Sequence, residues 1–395
     1  MQYEIRMGKK ELVEASMILI LLIFLAENSI IKAEELEADW ETYYYVLKES
    51  FVNNGLSDYY FTLEDRLFSV FPNTSTQQSY ILEGNPKIKD FHKDADGNLF
   101  AELDFPEKII PGENFTASIV FRVKLARRSI PHVSIESSGS IFEIPVNLSN
   151  YTMSTGVWDY ESTGLKYIAE LATQIRGNDT NVLSIISKMV RFVSERVEYP
   201  YGEELRSPQY PNQTLPSPGL RGRGDCDDQS ALLITMLRSV SIPSFLQTGG
   251  IVLTNYYTTG STWNGHLSIS SRNVGWHGWV EAYIPPWGWL PVDITYGYSQ
   301  GDPLSSITRS ASARELVLKS ESYSSIDYVA ETLRMEERIK NSGIYIYIEE
   351  EISKTLSASN HDSTSSDYWA INFIILLAIL LTINFILLRF FERRI

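Results

Sequence analysis

A single cysteine, Cys226, stands in a chain of 395 residues. One thiol excludes an intrachain disulfide and a cysteine-rich zinc site. Histidine is scarce as well: His92, His132, His266, His277 and His361 are scattered, and no two form a tight ligand cluster. No segment reads GxGxxG, GxxxxGK[ST] or HExxH, so the common nucleotide-binding and zinc-hydrolase signatures are missing. Basic residues are outnumbered, 34 Lys and Arg against 49 Asp and Glu, for a formal net charge of -15. A phosphate backbone needs a basic face, so no nucleic-acid partner is expected. Apolar residues make up 44%, enough for a sizeable core and, at this length, for two domains.

Apolar runs mark both ends. No charge occurs over 369–388. A helix of that length, rising about 1.5 Å per residue, matches a hydrocarbon core of about 30 Å. Tyr368 and Trp369 stand where an aromatic belt would, and Arg389, Arg393 and Arg394 orient the C-terminus to the cytoplasm. Near the start, Arg6, Lys9 and Lys10 precede an apolar run over 17–26, the pattern of a signal peptide cleaved after Ala33 or of an uncleaved signal anchor that adds a second span. Both versions put residues from about 34 to 367 outside a cell membrane. Sequons at Asn73, Asn114, Asn147, Asn150, Asn178 and Asn212 are candidate glycosylation sites on that side.

Between the ends the hydropathy period changes once. Residues 33–54 have helical spacing or lead into a first strand. YYFTLEDRLFSVF (59–71), QSYILEG (78–84), LFAELDF (99–105) and FTASIVFRVKLA (115–126) read as strands, with turns at Asp94-Ala95-Asp96-Gly97-Asn98 and Pro111-Gly112-Glu113-Asn114. They predict a small antiparallel sandwich ending near residue 150. Helical stripes follow over 165–175 and 182–197, and after a Pro- and Gly-rich loop a helix over 230–240, with Cys226 at its start. FLQTGGIVL (245–253), GHLSIS (265–270), HGWVEAYI (277–284) and WLPVDI (289–294) predict an antiparallel sheet under that helix. A helix over 326–339 and an edge strand, IYIYIEE (344–350), complete this part. The expected division is 1–33 signal peptide or anchor, 34–155 β-rich domain, 156–350 α+β domain, 351–367 Ser/Thr-rich stalk, 368–390 transmembrane helix and 391–395 cytoplasmic tail.

Chemistry concentrates at three positions. Cys226 opens a helix, where free backbone N–H groups and the aligned dipole favour a thiolate, the reactive form. Asp225, Asp227 and Asp228 beside it oppose that charge, so a positive partner is needed, and an imidazolium supplies it. His277 heads a strand and Asp293 ends the next, and a short hairpin between the two strands brings ring and carboxylate side by side. His266 is the rival base, but no well-placed carboxylate follows it. The acidic trio leaves calcium open as a weakly supported ion; it does not follow an EF-hand spacing, and no other cofactor is expected.

Gly224-Asp225-Cys226-Asp227-Asp228-Gln229-Ser230-Ala231 with Leu237-Arg238-Ser239-Val240-Ser241-Ile242-Pro243 resembles the cysteine motif of the transglutaminase-like superfamily. His277-Gly278-Trp279-Val280-Glu281-Ala282-Tyr283 resembles its histidine motif, and Gly288-Trp289-Leu290-Pro291-Val292-Asp293 its aspartate motif. Ile294 replaces the usual proline after the aspartate, and Ser241 a frequent glycine. The likeness covers roughly 165–300, and the preceding strands and helices resemble the architecture of membrane-anchored prokaryotic and archaeal members. It implies a papain-like α+β catalytic domain preceded by a small β-sandwich-like domain, with membrane-targeting helices at the ends. It further implies Cys226 as nucleophile, His277 as general base and acid, and Asp293 as its orienter, acting on a peptide or side-chain amide through a thioester. The implied side-chain oxyanion donor is an upstream tryptophan, for which Trp158 is the nearby candidate. Hydrolysis by a cysteine peptidase, acyl transfer that crosslinks a protein glutamine, and a catalytically silent cell-envelope module all remain open, as do the substrate and the oligomeric state.

Overall fold

The computed structural model describes residues 40–202 and 205–356. The expected signal segment, transmembrane helix and most of the stalk lie outside the described residues. Among the described residues no helix is long and apolar enough to cross a membrane.

Alternating apolar residues build the first half. Strands β1 (Glu41–Asn53), β2 (Tyr59–Tyr60), β3 (Leu67–Val70), β4 (Gln77–Asn85), β5 (Ile88–Lys93), β6 (Leu99–Leu103), β7 (Lys108–Ile109) and β8 (Asn114–Leu125) follow one another. In β8, Ala117, Ile119, Phe121, Val123 and Leu125 are buried while Arg122 and Lys124 face solvent, the period of two that a half-buried strand requires. The segment 59–71, expected as one strand, is broken by a turn at Glu64–Arg66. The buried Asp65 carboxylate there accepts hydrogen bonds from Tyr59 Oη (2.7 Å), Thr62 N (2.8 Å) and Arg338 Nη2 (2.7 Å), which a continuous strand would not allow.

The period then shifts to helical. Helices α1 (Lys166–Arg176), α2 (Val182–Arg196), α3 (Pro211–Thr214) and α4 (Cys226–Ser239) alternate with the short parallel strands β9 (Val197–Glu198) and β10 (Gly222–Arg223). Asn181 caps α2, its side chain accepting from Ser184 N at 2.9 Å. Helix α4 is buried on nearly every side from Asp228 to Arg238, with α1 and α2 on one flank and the sheet on the other. Truncating Leu233 or Leu237 there should cost about 2–5 kcal/mol.

Next come β11 (Ser244–Thr262), β12 (Leu267–Ile284) and β13 (Gly288–Val292), then α5 (Ser305–Thr308), α6 (Ala311–Arg314), β14 (Val317–Tyr323), α7 (Tyr328–Ser342) and β15 (Ile344–Ser353). GHLSIS and HGWVEAYI, expected as separate strands, are one long strand, so His277 sits within β12 and not at its head. Helix α7 stops at Gly343, whose φ of 72° suits a residue without Cβ.

The expected boundary at 155/156 does not divide the sheet. Strands run in the order β14-β11-β12-β15-β1-β8-β4, with β13 also on β12, and one compact unit takes in every described element. The seam is β15, expected at an edge: it pairs parallel with β12 and antiparallel with β1. It also runs to Ser353, so the first residues assigned to the stalk belong to the sheet, with Ile352 buried. In place of a separate sandwich, a three-stranded sheet β3-β6-β5 accompanies the large one.

Candidate active site

Cys226 owes its place to a tight approach. Gly224 precedes it, and a Cβ there would lie 2.6 Å from Asp228 Cβ and 2.8 Å from Thr214 Cγ2, so only glycine lets the chain turn into α4. Cys226 is then the first residue of the helix and is partly exposed. Strand β12 runs beside this turn: Ser230 Oγ donates to Cys226 O at 2.7 Å and reaches Gly278 O at 3.4 Å.

His277 and Asp293 come from neighbouring strands. β12 and β13 are antiparallel with Val280 opposite Val292. One step further puts Asp293 opposite Trp279, which shares a face with His277 because side chains alternate. His277 Nε2 lies 3.0 Å from Asp293 Oδ1, both side chains almost wholly buried. This is a close charge-paired contact when the ring holds its proton. Cys226 lies near enough to act electrostatically on the same ring. Burial works against charge on His277, but the Asp293 carboxylate and Cys226 outweigh it and push the ring up to about 10. Burial likewise works against the Asp293 carboxylate. The His277 ring and the N–H groups of Ala311 (2.9 Å) and Tyr296 (3.0 Å) overcome it and hold the group below its ordinary value.

A second buried network supports the ring. Trp279 lies at 24° to His277, centroids 6.1 Å apart, and its Nε1 donates to Glu281 Oε1 at 3.1 Å. Glu281 is paired with Arg128 at 2.5 Å and approached by Lys319 at 3.9 Å. Arg128 also donates to Trp289 O at 2.6 Å, tying the segment after β8 to β12 and β13.

The acidic trio is crowded. Ligand oxygens of Asp225, Asp227 and Asp228 lie within 4.8 Å of one another and can coordinate a divalent ion such as calcium. Asp228 is already engaged by Gln209 N at 2.8 Å and Arg206 Nη2 at 3.1 Å. Burial and Asp225 push Asp228 up to about 7 against those donors, and burial with Asp225 and Cys226 raises Asp227.

The other expected groups fall elsewhere. His266 lies outside the cluster: its Nδ1 contacts Ile344 O at 2.6 Å and its ring stacks on Tyr345. Ten strand residues at about 3.3 Å each separate it from His277. Trp158 is fully buried, with Arg238 4.4 Å above its ring. Its indole Nε1 is buried with no hydrogen-bond partner among the described residues. Of the sequons, Asn73, Asn114, Asn147, Asn150 and Asn178 are exposed and Asn212 is half-buried.

An open cleft of about 910 Å³ lies at this end of the molecule. Gln229, one turn after Cys226, and Ile294 and Thr295, directly after Asp293, line it together with Tyr199, Tyr201 and Arg221. Sequence reasoning passed over Tyr199, whose only local signal was an aromatic residue before Pro200 at a helix end.

The transglutaminase-like superfamily matches residues 169–294, a span that includes Cys226, His277 and Asp293. The chain contains a transglutaminase-like superfamily domain. The chain also aligns at the sequence level with the uncharacterized protein YebA of Bacillus subtilis, 24% identical over 162 residues. That alignment spans 39% of this chain and 20% of YebA. Among solved structures, a candidate cysteine protease from Cytophaga hutchinsonii superposes with a TM-score of 0.49 at 14% identity, over 82% of this chain and 93% of that one. The periplasmic domain of TgpA from Pseudomonas aeruginosa, bound to ethylmercury, gives 0.30 at 16% identity, over 71% and 94%.

Proposed function

We propose that the transglutaminase-like domain is a cysteine amidohydrolase, a peptidase held on the outer side of a membrane by its terminal segments. The observation that carries this reading is the buried imidazole of His277, 3.0 Å from the Asp293 carboxylate and near enough to Cys226 for the two to act on each other electrostatically. A histidine that keeps its proton beside a carboxylate is a counter-ion for a thiolate and a proton donor to a leaving amine.

The steps follow from that geometry. Cys226 Sγ adds to the amide carbonyl carbon, and the C=O electron pair moves onto oxygen. The intermediate collapses, the C–N bond breaks, and the departing nitrogen takes its proton from His277. A thioester remains on Cys226. Water then adds while His277 takes its proton, and collapse frees the acid and restores the thiolate. An amine acceptor in place of water would give a crosslink. The Cys226 backbone N–H, free at the first position of α4, is one donor to the oxyanion.

Three measurements test the reading. Alkylation of Cys226 by iodoacetamide should fall at least tenfold in His277→Ala; equal rates in both proteins would overturn the enzyme reading. Product analysis with casein and a labelled primary amine separates the outcomes, free peptides supporting hydrolysis and amine incorporation supporting transfer. Protease added to intact cells should degrade residues 40–356 of the full chain, and full protection would reverse the topology.

A further inference from the structure

The collapse of the amide bond needs a second donor to the oxyanion, and the cleft offers one. Strand β9 pairs in parallel with β10, Arg223 beside Glu198, and Gly224 N donates to Glu198 O at 3.1 Å. This ladder leads Tyr199 alongside Gly224 and Asp225, at the entry to Cys226. Tyr199 lines the same cleft as Gln229, three residues after Cys226 on α4, and Ile294 and Thr295, which follow Asp293 in the chain. Its ring is half-buried against Tyr201, centroids 4.7 Å apart. Its hydroxyl takes part in none of the side-chain hydrogen bonds among the described residues. A polar group held this way, with its donor unspent, is ready for a ligand atom.

We propose that Tyr199 is the side-chain donor of the oxyanion site: its hydroxyl hydrogen-bonds the carbonyl oxygen of the substrate once Cys226 has added to the carbon. The proposal rests on the amidohydrolase reading. The chemistry suits the position. Burial, reinforced by Cys226 and Asp225, holds the phenol well above its ordinary value, so near neutral pH it stays protonated and can donate. A neutral donor that bonds nothing at rest strengthens its contact only as negative charge develops on the oxygen, and such a contact lowers the barrier without tightening the ground state. Trp158, buried under Arg238, cannot fill this role.

The test uses Tyr199→Phe in the full chain, a change that removes one oxygen and leaves the ring packing intact. Two probes differ in what they ask. Iodoacetamide alkylates the sulfur without forming an oxyanion. A peptide aldehyde adds to the same sulfur and does form the tetrahedral oxygen. We expect casein hydrolysis to fall in kcat by about 10²–10³-fold, the usual loss for one oxyanion donor. Aldehyde affinity should fall in parallel, while iodoacetamide alkylation of Cys226 stays within twofold. Unchanged alkylation also reports that the variant is folded. Hydrolysis and aldehyde binding within twofold of the wild type would overturn the proposal. So would an equal loss with all three probes, which would make Tyr199 a residue that positions Cys226. Failure of the underlying reading looks different, because the unmodified protein would then show neither aldehyde binding nor His277-dependent alkylation.

Discussion

Glu281 and Asp293 are both buried carboxylates, one on β12 and the other just past β13, yet they have opposite partners. Glu281 faces the guanidinium of Arg128, with Lys319 behind it. Asp293 faces His277, a cation only while the ring holds its proton. The first pair fastens the segment after β8 to the sheet. The second holds a group that can give its proton away. Two strands of one sheet therefore supply a fixed charge for architecture and a titratable one for chemistry. The tryptophan between them, Trp279, touches both, donating to Glu281 and lying over His277.

The largest expected effect separates the two by what they damage. Asp293→Asn removes the charge that keeps the ring protonated and should slow Cys226 alkylation and turnover by about 10²-fold or more, with the protein still folded. Glu281→Gln leaves Arg128 buried without its counter-charge and should cost about 3–5 kcal/mol of stability in a denaturant titration. If Asp293→Asn were as destabilising as Glu281→Gln yet left alkylation unchanged, the division of labour would be wrong.

The pH dependence sharpens the same contrast. The ring of His277 is raised from 6.5 to about 10 on folding, so its contribution is complete below about 6.5 and is lost as pH rises through about 10. Asp293 is lowered, so its contribution is present above its ordinary value of 3.8 and disappears as pH falls through its depressed folded value. The stability gap between wild type and Asp293→Asn should thus form a plateau that declines on both sides. The gap for Glu281→Gln should decline on the acid side, because Glu281 is also lowered, and by a smaller amount at basic pH, where burial makes Lys319 give up its charge below its ordinary value. A basic-side loss for Glu281→Gln larger than that for Asp293→Asn, measured by melting at pH 7 and pH 10, would break the comparison.

What could be read from the sequence follows from range. Cys226 marks a helix start and Asp293 the end of a strand, while His277 lies inside the long β12, and a short β12–β13 hairpin joins the last two, so their approach is encoded locally. The helices over 166–176, 182–196 and 328–342 carried their own stripes and caps in the same way. The sheet was harder. IYIYIEE alternates identically whether it lies at an edge or between β12 and β1, and only the pairing of distant segments decides. The single sheet was therefore divided into two parts in the reading. Tyr199 was invisible for a related reason: the β9–β10 ladder that places it beside Gly224 has two residues per strand, too short to leave a pattern.

A third carboxylate gives the smallest effect and the reason for it. Asp96, in the turn between β5 and β6, forms no salt bridge among the described residues, and its hydrogen bonds come from neutral donors of the loop before α7. These are Ser324 N at 2.8 Å, Ser324 Oγ at 2.7 Å, Ser325 N at 2.9 Å, Ser325 Oγ at 2.6 Å and Ile326 N at 3.1 Å. That loop also carries Ser324 O, which accepts from Arg238 of α4 at 2.9 Å, so the turn braces the helix that begins with Cys226. Burial works against the Asp96 carboxylate, but the serine donors hold it below its ordinary value. Its contribution should be present above pH 3.8 and be lost as pH falls. Because Asp96 is partly exposed, water can replace the bonds it loses, and Asp96→Ala should cost about 1–2 kcal/mol, well below Glu281→Gln. Alkylation of Cys226 should stay within about threefold, since the brace lies at the far end of α4 from the sulfur. A loss of alkylation as large as that of Asp293→Asn would mean that the turn sets the geometry of the site and not merely the seating of its helix.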